Sequence, residues 1–293
     1  MNNVKKTITV TGATGFIGRN LIKSLLEDDH KVIAVIRDPS QASSLPSGCI
    51  PSLCSILDYE PVAEIVSRSD LVFHLAGIVG VGPAGSDPYK TIDTNVLGTV
   101  NIMDAAKYFK KPVVYTGVGN IDDHSIYTVS KMTSERFLMM YNKEHGCDFL
   151  PVRIFNVYGP GQSLKSGKLI INSIHKALVG EPISIFGKGD QVMDFIYIED
   201  VIMHLKSCVD NYPKFETNPF EIGSGKGTSI LDAVNMIIML TGGKSKIVFE
   251  NKRSGDRMQK VIADSSRFIS NSVNLHSFEK GVKKTIKYIK DAI

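Results

Sequence analysis

The chain has 293 residues, 43% hydrophobic and 22% charged, enough for one large or two smaller globular domains with a sizeable core. Its net charge of +4 is too small to imply nucleic acid, and no apolar run reaches the roughly 20 residues of a membrane span. Cysteines 49, 54, 147 and 208 are scattered and lack metal-ligand spacing, so no metal site is expected. No signal-peptide apolar core follows Lys5 and Lys6, and a reducing cytoplasm is the expected location.

Ile8–Gly18 reads ITVTGATGFIG. An apolar β-branched run enters a turn with glycines at 12, 15 and 18, and Phe16, Ile17, Leu21, Ile22, Leu25 and Leu26 follow at helical spacing. Strand, glycine turn and helix form the unit that holds a dinucleotide pyrophosphate. Gly12 permits the tight turn, Gly15 lets the backbone approach the phosphates, and Gly18 lets the helix pack on the strand. The helix N-terminus offers free N–H groups and a partial positive charge to the anion. Val32–Ile36 is the next strand and ends at Arg37, without the acidic residue that binds a ribose 2′-hydroxyl. A guanidinium there accepts a 2′-phosphate, which leans the cofactor toward NADP; an Arg37 stacked on adenine is compatible with NAD.

Leu71–Leu75 is a further strand, entering Ala76-Gly77. Asn95–Tyr108 is helical, Val113–Thr116 a strand, Ser130–Tyr141 part of a helix that starts near Tyr127, and Phe149–Phe155 a strand. This alternation predicts an α/β fold, a Rossmann-type doubly wound parallel sheet with ligands along the strand C-terminal edge. After Tyr158-Gly159-Pro160-Gly161 the character changes. Helical Leu169–Val179 and short strands at Ile183–Phe186 and Phe195–Ile198 suggest a smaller C-terminal α+β substrate-binding portion. The expected division is 1–162 for the dinucleotide and 163–293 mainly for substrate, the two interleaved. Near the end, Lys280, Lys283, Lys284, Lys287 and Lys290 alternate with Val282, Ile286 and Ile289, the solvated face of an amphipathic helix.

Tyr127 and Lys131 share a helix face, four residues apart. A neighbouring ammonium favours a phenolate, and such a tyrosine can serve as acid or base toward a sugar hydroxyl during hydride transfer. The pair opens the helix that follows Val113–Thr116, where substrate meets dinucleotide on such a sheet.

The chain resembles the extended short-chain dehydrogenase/reductase family, in particular its NAD-dependent epimerase/dehydratase group acting on nucleotide sugars. The resemblance rests on TGATGFIG at 11–18, HLAG at 74–77, DP at 87–88, NVLGT from Asn95, YTVSK at 127–131, RIFNVYGPGQ at 153–162, FGKGDQVMDFIYIEDV at 186–201, EIGSGKGTSI at 221–230 and RSGD at 253–256. It implies Tyr127 as catalytic acid/base and Lys131 as the residue that lowers its pKa and binds the nicotinamide ribose. It implies dinucleotide contacts at Gly12, Thr14, Gly15, Phe16, Ile17, Gly18, Leu75, Ala76, Gly77 and Asn95, and substrate diphosphate contacts at Asn156 and Arg253. A homodimer built from the helices after 88 and 127, with Met132, Met139 and Met140 contributing, is implied as well.

Departures from the family pattern stand at Gly117, at Met193 and at the end of the second strand, where Arg37 takes the place of the acidic residue. Gly117 stands where the strand before Tyr127 should supply a Ser or Thr hydroxyl. Thr116, one residue earlier, takes that catalytic and substrate-contacting place only if the strand end is irregular, and Ser125 is another hydroxyl nearby. Met193 replaces an arginine that grips the diphosphate, leaving that task to Arg253, Arg257 or Lys188. Ser55 stands where an Asp often touches the adenine. Gly117-Val118 also replace the acidic pair of dehydratases, and Asp122 and Asp123 read as a polar turn. The expected activity is therefore oxidoreduction at a nucleotide-sugar carbon, C4 by expectation, as a 4-epimerase or a 4-keto reductase. A dehydratase, or a non-catalytic dinucleotide-binding protein, is the alternative.

Overall fold

The computed structural model describes residues 4–210, 212, 219–251, 260–269 and 274–291. The β-branched run at the start becomes β1 (Thr7–Thr11), buried from Ile8 onward, as a strand covered on both faces must be. α1 (Phe16–Glu27) turns Gly18, Leu21, Ile22 and Leu25 inward. β2 (Lys31–Ile36), β3 (Ile50–Leu53), α2 (Tyr59–Ser67) and β4 (Leu71–His74) come next. α3 (Val81–Ser86) and α4 (Pro88–Ile92) lead through a π-helical turn, Asp93–Leu97, into α5 (Gly98–Phe109). β5 (Val113–Val118), α6 (Ile126–His145) and β6 (Phe149–Ile154) follow.

Beyond β6 the chain forms β7 (Asn156–Tyr158), α7 (Leu169–Val179), β8 (Ile183–Phe186), β9 (Val192–Tyr197) and α8 (Ile198–Asp210). Then come β10 (Phe220–Ile222), β11 (Gly227–Ser229), α9 (Ile230–Thr241), β12 (Ile247–Glu250), β13 (Lys260–Val261) and α10 (Phe278–Lys290).

Two compact units result: Met1–Ile154 with Ile202–Glu221, and Phe155–Val201 with Ile222–Ile293. The first holds a seven-stranded sheet in the order β10-β6-β5-β4-β1-β2-β3, with β1 to β6 paired in parallel. Its order reverses between β1 and β4, the topological switch point at which such sheets bind ligands outside the strand C-termini. One layer of its core packs α2 and α5 on the sheet through Val62, Ile65, Val66, Ile102, Met103 and Ala106. In the second unit β9 is flanked by β7, β11 and β13, and β8 pairs with β12.

The turn at 159–161 suggested a boundary at 162. The compact units part at Ile154 instead, because Asn156–Tyr158 pairs along Phe195–Tyr197 of β9. The helix expected from Asn95 begins as a π turn, and Leu71–Leu75 ends as a strand at His74.

α10 buries Gly281, Val282, Ile286 and Ile289, and its five lysines face outward as its periodicity requires. Gly281 lets the helix lie against Tyr158: a Cβ there would stand 2.2 Å from the Tyr158 hydroxyl oxygen, which donates to the Phe278 carbonyl at 3.0 Å. Gly281→Ala is expected to lower stability by about 1–3 kcal/mol through overpacking, against a helix-propensity gain of about 1 kcal/mol. Urea unfolding monitored by circular dichroism checks the sign; a stabilised variant would contradict the packing account.

Candidate active site

The switch point is built by a backbone contact. Gly12 sits at φ +67°, and a Cβ on it would lie 2.8 Å from the Ala76 nitrogen and 2.8 Å from the Leu75 carbonyl carbon. A Cβ at Gly18 would stand 2.3 Å from the Gly12 oxygen. The turn after β1 therefore fits against the chain after β4 only with glycine at both places. Gly15 is the N-cap of α1; no side chain caps the helix and no acidic residue occupies its first turn, which includes Phe16, Ile17 and Gly18. The first-turn N–H groups and the helix dipole thus point at open space beside exposed Gly15 and half-buried Thr14, a cradle that fits a pyrophosphate.

Behind this cradle runs a buried polar chain that the sequence did not disclose. The Ala76 N–H donates to Thr11 Oγ1 (3.1 Å), which bonds His74 Nδ1 (2.8 Å), and His74 Nε2 bonds Thr99 Oγ1 (3.0 Å). Thr99 and Ser134 hydroxyls both donate to the Asn95 carbonyl, at 2.6 and 2.5 Å. Burial, helped by the Lys131 charge, drops His74 to about 3, so the ring is a neutral connector. The Asn95 amide is committed too. Its Oδ1 accepts the Ile78 N–H (2.7 Å), and its Nδ2 donates to the Ile78 carbonyl (3.1 Å) and to Ser130 Oγ (2.9 Å). Asn95 therefore clamps the loop after Gly77 onto α6.

α6 starts at Ser125, whose hydroxyl accepts the Thr128 N–H (3.3 Å) and donates to Asp123 (2.5 Å). Ser125 and Asp123 are thus spent on capping the helix. Tyr127, Lys131 and Glu135 follow at helical spacing on one face. Lys131 is buried, with its Nζ 4.3 Å from the centre of the Tyr115 ring and 3.8 Å from where a Cβ on Gly77 would stand. The Tyr115 hydroxyl fixes this turn by donating to the Lys131 carbonyl at 3.0 Å. Burial raises Tyr127 to about 12 and lowers Lys131 to about 7, Glu135 acting in the opposite direction on the lysine. In the polypeptide by itself, burial is the main influence on both groups.

β5 stays regular to its end, with Thr116↔Val152, Gly117↔Arg153 and Val118↔Ile154 in register. The irregularity that Thr116 would need is not there. Its hydroxyl bonds the His74 carbonyl at 3.4 Å, and alternation sends it to the face opposite Gly117. On the Gly117 face lies a buried fork: Arg153 Nη2 and Nε donate to Glu135 Oε1 (2.6 Å) and Oε2 (3.0 Å). A Cβ at Gly117 would stand 3.2 Å from Glu135 Oε2.

Residues 8–223 match the NAD dependent epimerase/dehydratase family. The chain belongs to this family of enzymes. A UDP-N-acetyl-alpha-D-glucosaminuronate decarboxylase from Bacillus cytotoxicus is 30% identical, over 98% of this chain and 99% of that protein. Among solved structures, the Bordetella bronchiseptica enzyme WbmF in complex with NADH is 30% identical with a TM-score of 0.85, covering 99% of this chain and 93% of that one. The UDP-glucuronic acid 4-epimerase from Bacillus cereus, in complex with UDP-glucuronic acid and NAD, is 26% identical with a TM-score of 0.85, covering 98% of this chain and 100% of that one.

Of the positions that this epimerase/dehydratase family suggests, the first unit brings together Gly12, Leu75, Ala76, Gly77, Asn95 and Lys131. Arg37 is exposed at the end of β2, its backbone N–H donating to Gln41 (3.1 Å). Ser55 caps its own loop by accepting the Leu57 N–H at 3.2 Å. In the second unit, Asn156 donates to the Asp194 carbonyl at 3.1 Å. Met193 is half-buried in β9, opposite Thr228 and Val261. Its neighbour Asp194 is fully buried and accepts the Ser224, Gly225 and Ala263 N–H groups, which holds this sheet edge rigid. Arg253 and Arg257 lie outside the described residues.

Gly18→Ala places a methyl group in the Gly12 carbonyl and is expected to weaken dinucleotide binding at least tenfold while destabilising the fold. Isothermal titration with NAD, with a thermal melt in parallel, checks both. A variant that binds as the parent does would show that the turn can relax.

Proposed function

We propose that this enzyme oxidises a sugar hydroxyl of a UDP-sugar at C4 with NAD and then reduces the resulting ketone, acting as a 4-epimerase. The supporting observation is the placement of Tyr127 and Lys131 one helical turn apart, with Lys131 buried against Gly77 beside the glycine cradle. The glycine turn at Gly12, Gly15 and Gly18 would hold NAD, which would supply the hydride acceptor and donor for the sugar carbon. As the phenolate, stabilised by a protonated Lys131, the Tyr127 oxygen accepts the proton of the reacting hydroxyl, and as the phenol it returns that proton. Asn95 and Tyr115 hold that helix turn still while the proton moves. No carboxylate or hydroxyl stands at Gly117-Val118-Gly119, and Asp123 serves the α6 cap, so elimination of water has little support. A decayed, non-catalytic site has little support either, because the acid–base pair and its supporting hydrogen bonds are intact.

A second outcome is favoured by the Bacillus cytotoxicus relative, matched end to end. In a UDP-hexuronic acid the carboxylate on C5 is β to a C4 ketone and leaves as carbon dioxide; the enolate that remains takes a proton at C5, and the C4 ketone is then reduced. Both outcomes use the same oxidation. We take NAD rather than NADP as the cofactor: the related structures named above carry NAD or NADH, and the exposed Arg37 would then stack on adenine. The first unit would hold the dinucleotide and the second most of the substrate, with Asn156 and Arg253 at its diphosphate.

Incubation with UDP-glucuronic acid, followed by NMR, separates the readings: a C4 epimer supports the first, a pentose nucleotide with carbon dioxide the second. Tyr127→Phe should lower turnover about 10²–10⁴-fold without loss of dinucleotide binding. A variant within threefold of the parent would remove the assignment. Denatured protein that releases NAD supports the self-contained cycle.

The enzyme is also read as a homodimer. α4, the π turn and α6 leave Tyr89, Ile92, Leu97, Val129, Phe137 and Met140 exposed, an apolar set consistent with a helical interface. Light scattering on the eluting protein should give twice the chain mass, and Val129→Asp with Phe137→Glu should give the monomer mass.

A further inference from the structure

We propose that the buried Glu135–Arg153 pair is a positioning pair for the catalytic lysine, the Glu135 carboxylate supplying the field that keeps the Lys131 amine protonated in a dry site. The inference rests on the assignment of Tyr127 and Lys131 given above. Glu135 lies one helical turn beyond Lys131 and is 2% exposed; the Arg153 side chain is 9% exposed. Burying two charges is costly even when they are paired, and apolar residues of similar volume often serve stability as well or better. The chain nevertheless places this pair one helical turn beyond the lysine, beside the position of Gly117. A Cβ there would be 3.2 Å from Glu135 Oε2 and 3.7 Å from Arg153 Cγ.

The groups that act on the Lys131 amine are Glu135 from α6, the Tyr115 ring from β5 and His74 from β4. Tyr127 lies one turn before it on α6, and Arg153 of β6 is bonded to Glu135. Burial keeps Tyr115 and His74 neutral at physiological pH and raises Tyr127, and the Tyr115 ring face adds a cation–π attraction. Among the described residues, Glu135 is thus the anion that acts on the amine, and Arg153, bonded to both oxygens of that carboxylate, moderates it. The signs follow. Removing the carboxylate leaves a bare guanidinium and pushes the lysine toward its neutral form. Removing the guanidinium alone strengthens the field that protonates it. A protonated Lys131 is the form that stabilises a phenolate at Tyr127, so the pair acts on the reaction without touching substrate.

The test is a pH titration of the Lys131 side chain in lysine-labelled folded protein by ¹³C NMR, its resonance assigned by loss in Lys131→Met. Glu135→Gln should move the midpoint down by at least about one pH unit and Arg153→Gln should move it up. Glu135→Asp and Arg153→Lys, which keep the charges, should leave it within about half a unit. Arg153→Gln and Arg153→Lys carry the test by themselves if Glu135→Gln does not fold. Midpoints unchanged in the charge-removing variants, or moved the same way by both, overturn the proposal. The titration does not depend on turnover. A Tyr127→Phe protein that keeps its activity removes the catalytic assignment alone, and an unmoved titration with Tyr127→Phe inactive removes the positioning pair alone.

Discussion

The site depends on one close approach of backbone to backbone. The turn after β1 touches the chain after β4 at Gly12 and Ala76, with no room for a β-carbon between them. Because the sheet order reverses between these strands, this is also where the two halves of the sheet diverge and leave a crevice. Gly18 extends the constraint into α1 by letting the helix start directly on the turn. The orientation of the helix dipole, the openness at Gly15 and the distance from cradle to Lys131 all follow from that contact.

The buried polar chain gives the contact its rigidity. Thr11, His74, Thr99, Asn95, Ser130 and Ser134 join β1, β4, the π turn and α6 through hydrogen bonds away from water. Leaving one buried partner unpaired costs about 1–3 kcal/mol, so the network behaves as one object. The glycine turn and the α6 turn that carries Tyr127 and Lys131 are therefore not independent features. A shift at one end has to break hydrogen bonds before it is absorbed at the other.

Much of this was legible in the residues. The glycine turn, the alternating strands and helices and the Tyr127/Lys131 spacing are local patterns, and local patterns survive in a sequence. The terminal lysine face and the segments Leu169–Val179 and Ile183–Phe186 were readable for the same reason. What escaped depends on tertiary placement. His74 is a histidine within an apolar strand until Thr11 and Thr99 arrive on either side. Glu135 and Arg153 lie 18 residues apart, and only the register of β5 with β6 brings the guanidinium behind Gly117. Gly117, read as a missing hydroxyl, also stands beside this ion pair. The pairing of β7 was hidden for the same reason, because its partner lies nearly 40 residues downstream, Asn156 opposite Phe195.

The π turn at Asp93–Leu97 has a geometric consequence for the whole rod from Pro88 to Phe109. A π bulge adds about one residue to a helical turn, and each residue of an α-helix rotates the side-chain direction by about 100°. The faces before and after the bulge are therefore out of phase. α5 can aim Ile102, Met103 and Ala106 at the core while α4 leaves Tyr89 and Ile92 outside, although one periodic pattern could not do both. The bulge works as a phase shifter. It lets one rod serve the interior at its C-terminal end and the surface at its N-terminal end, with Asn95 at the node where the phase changes.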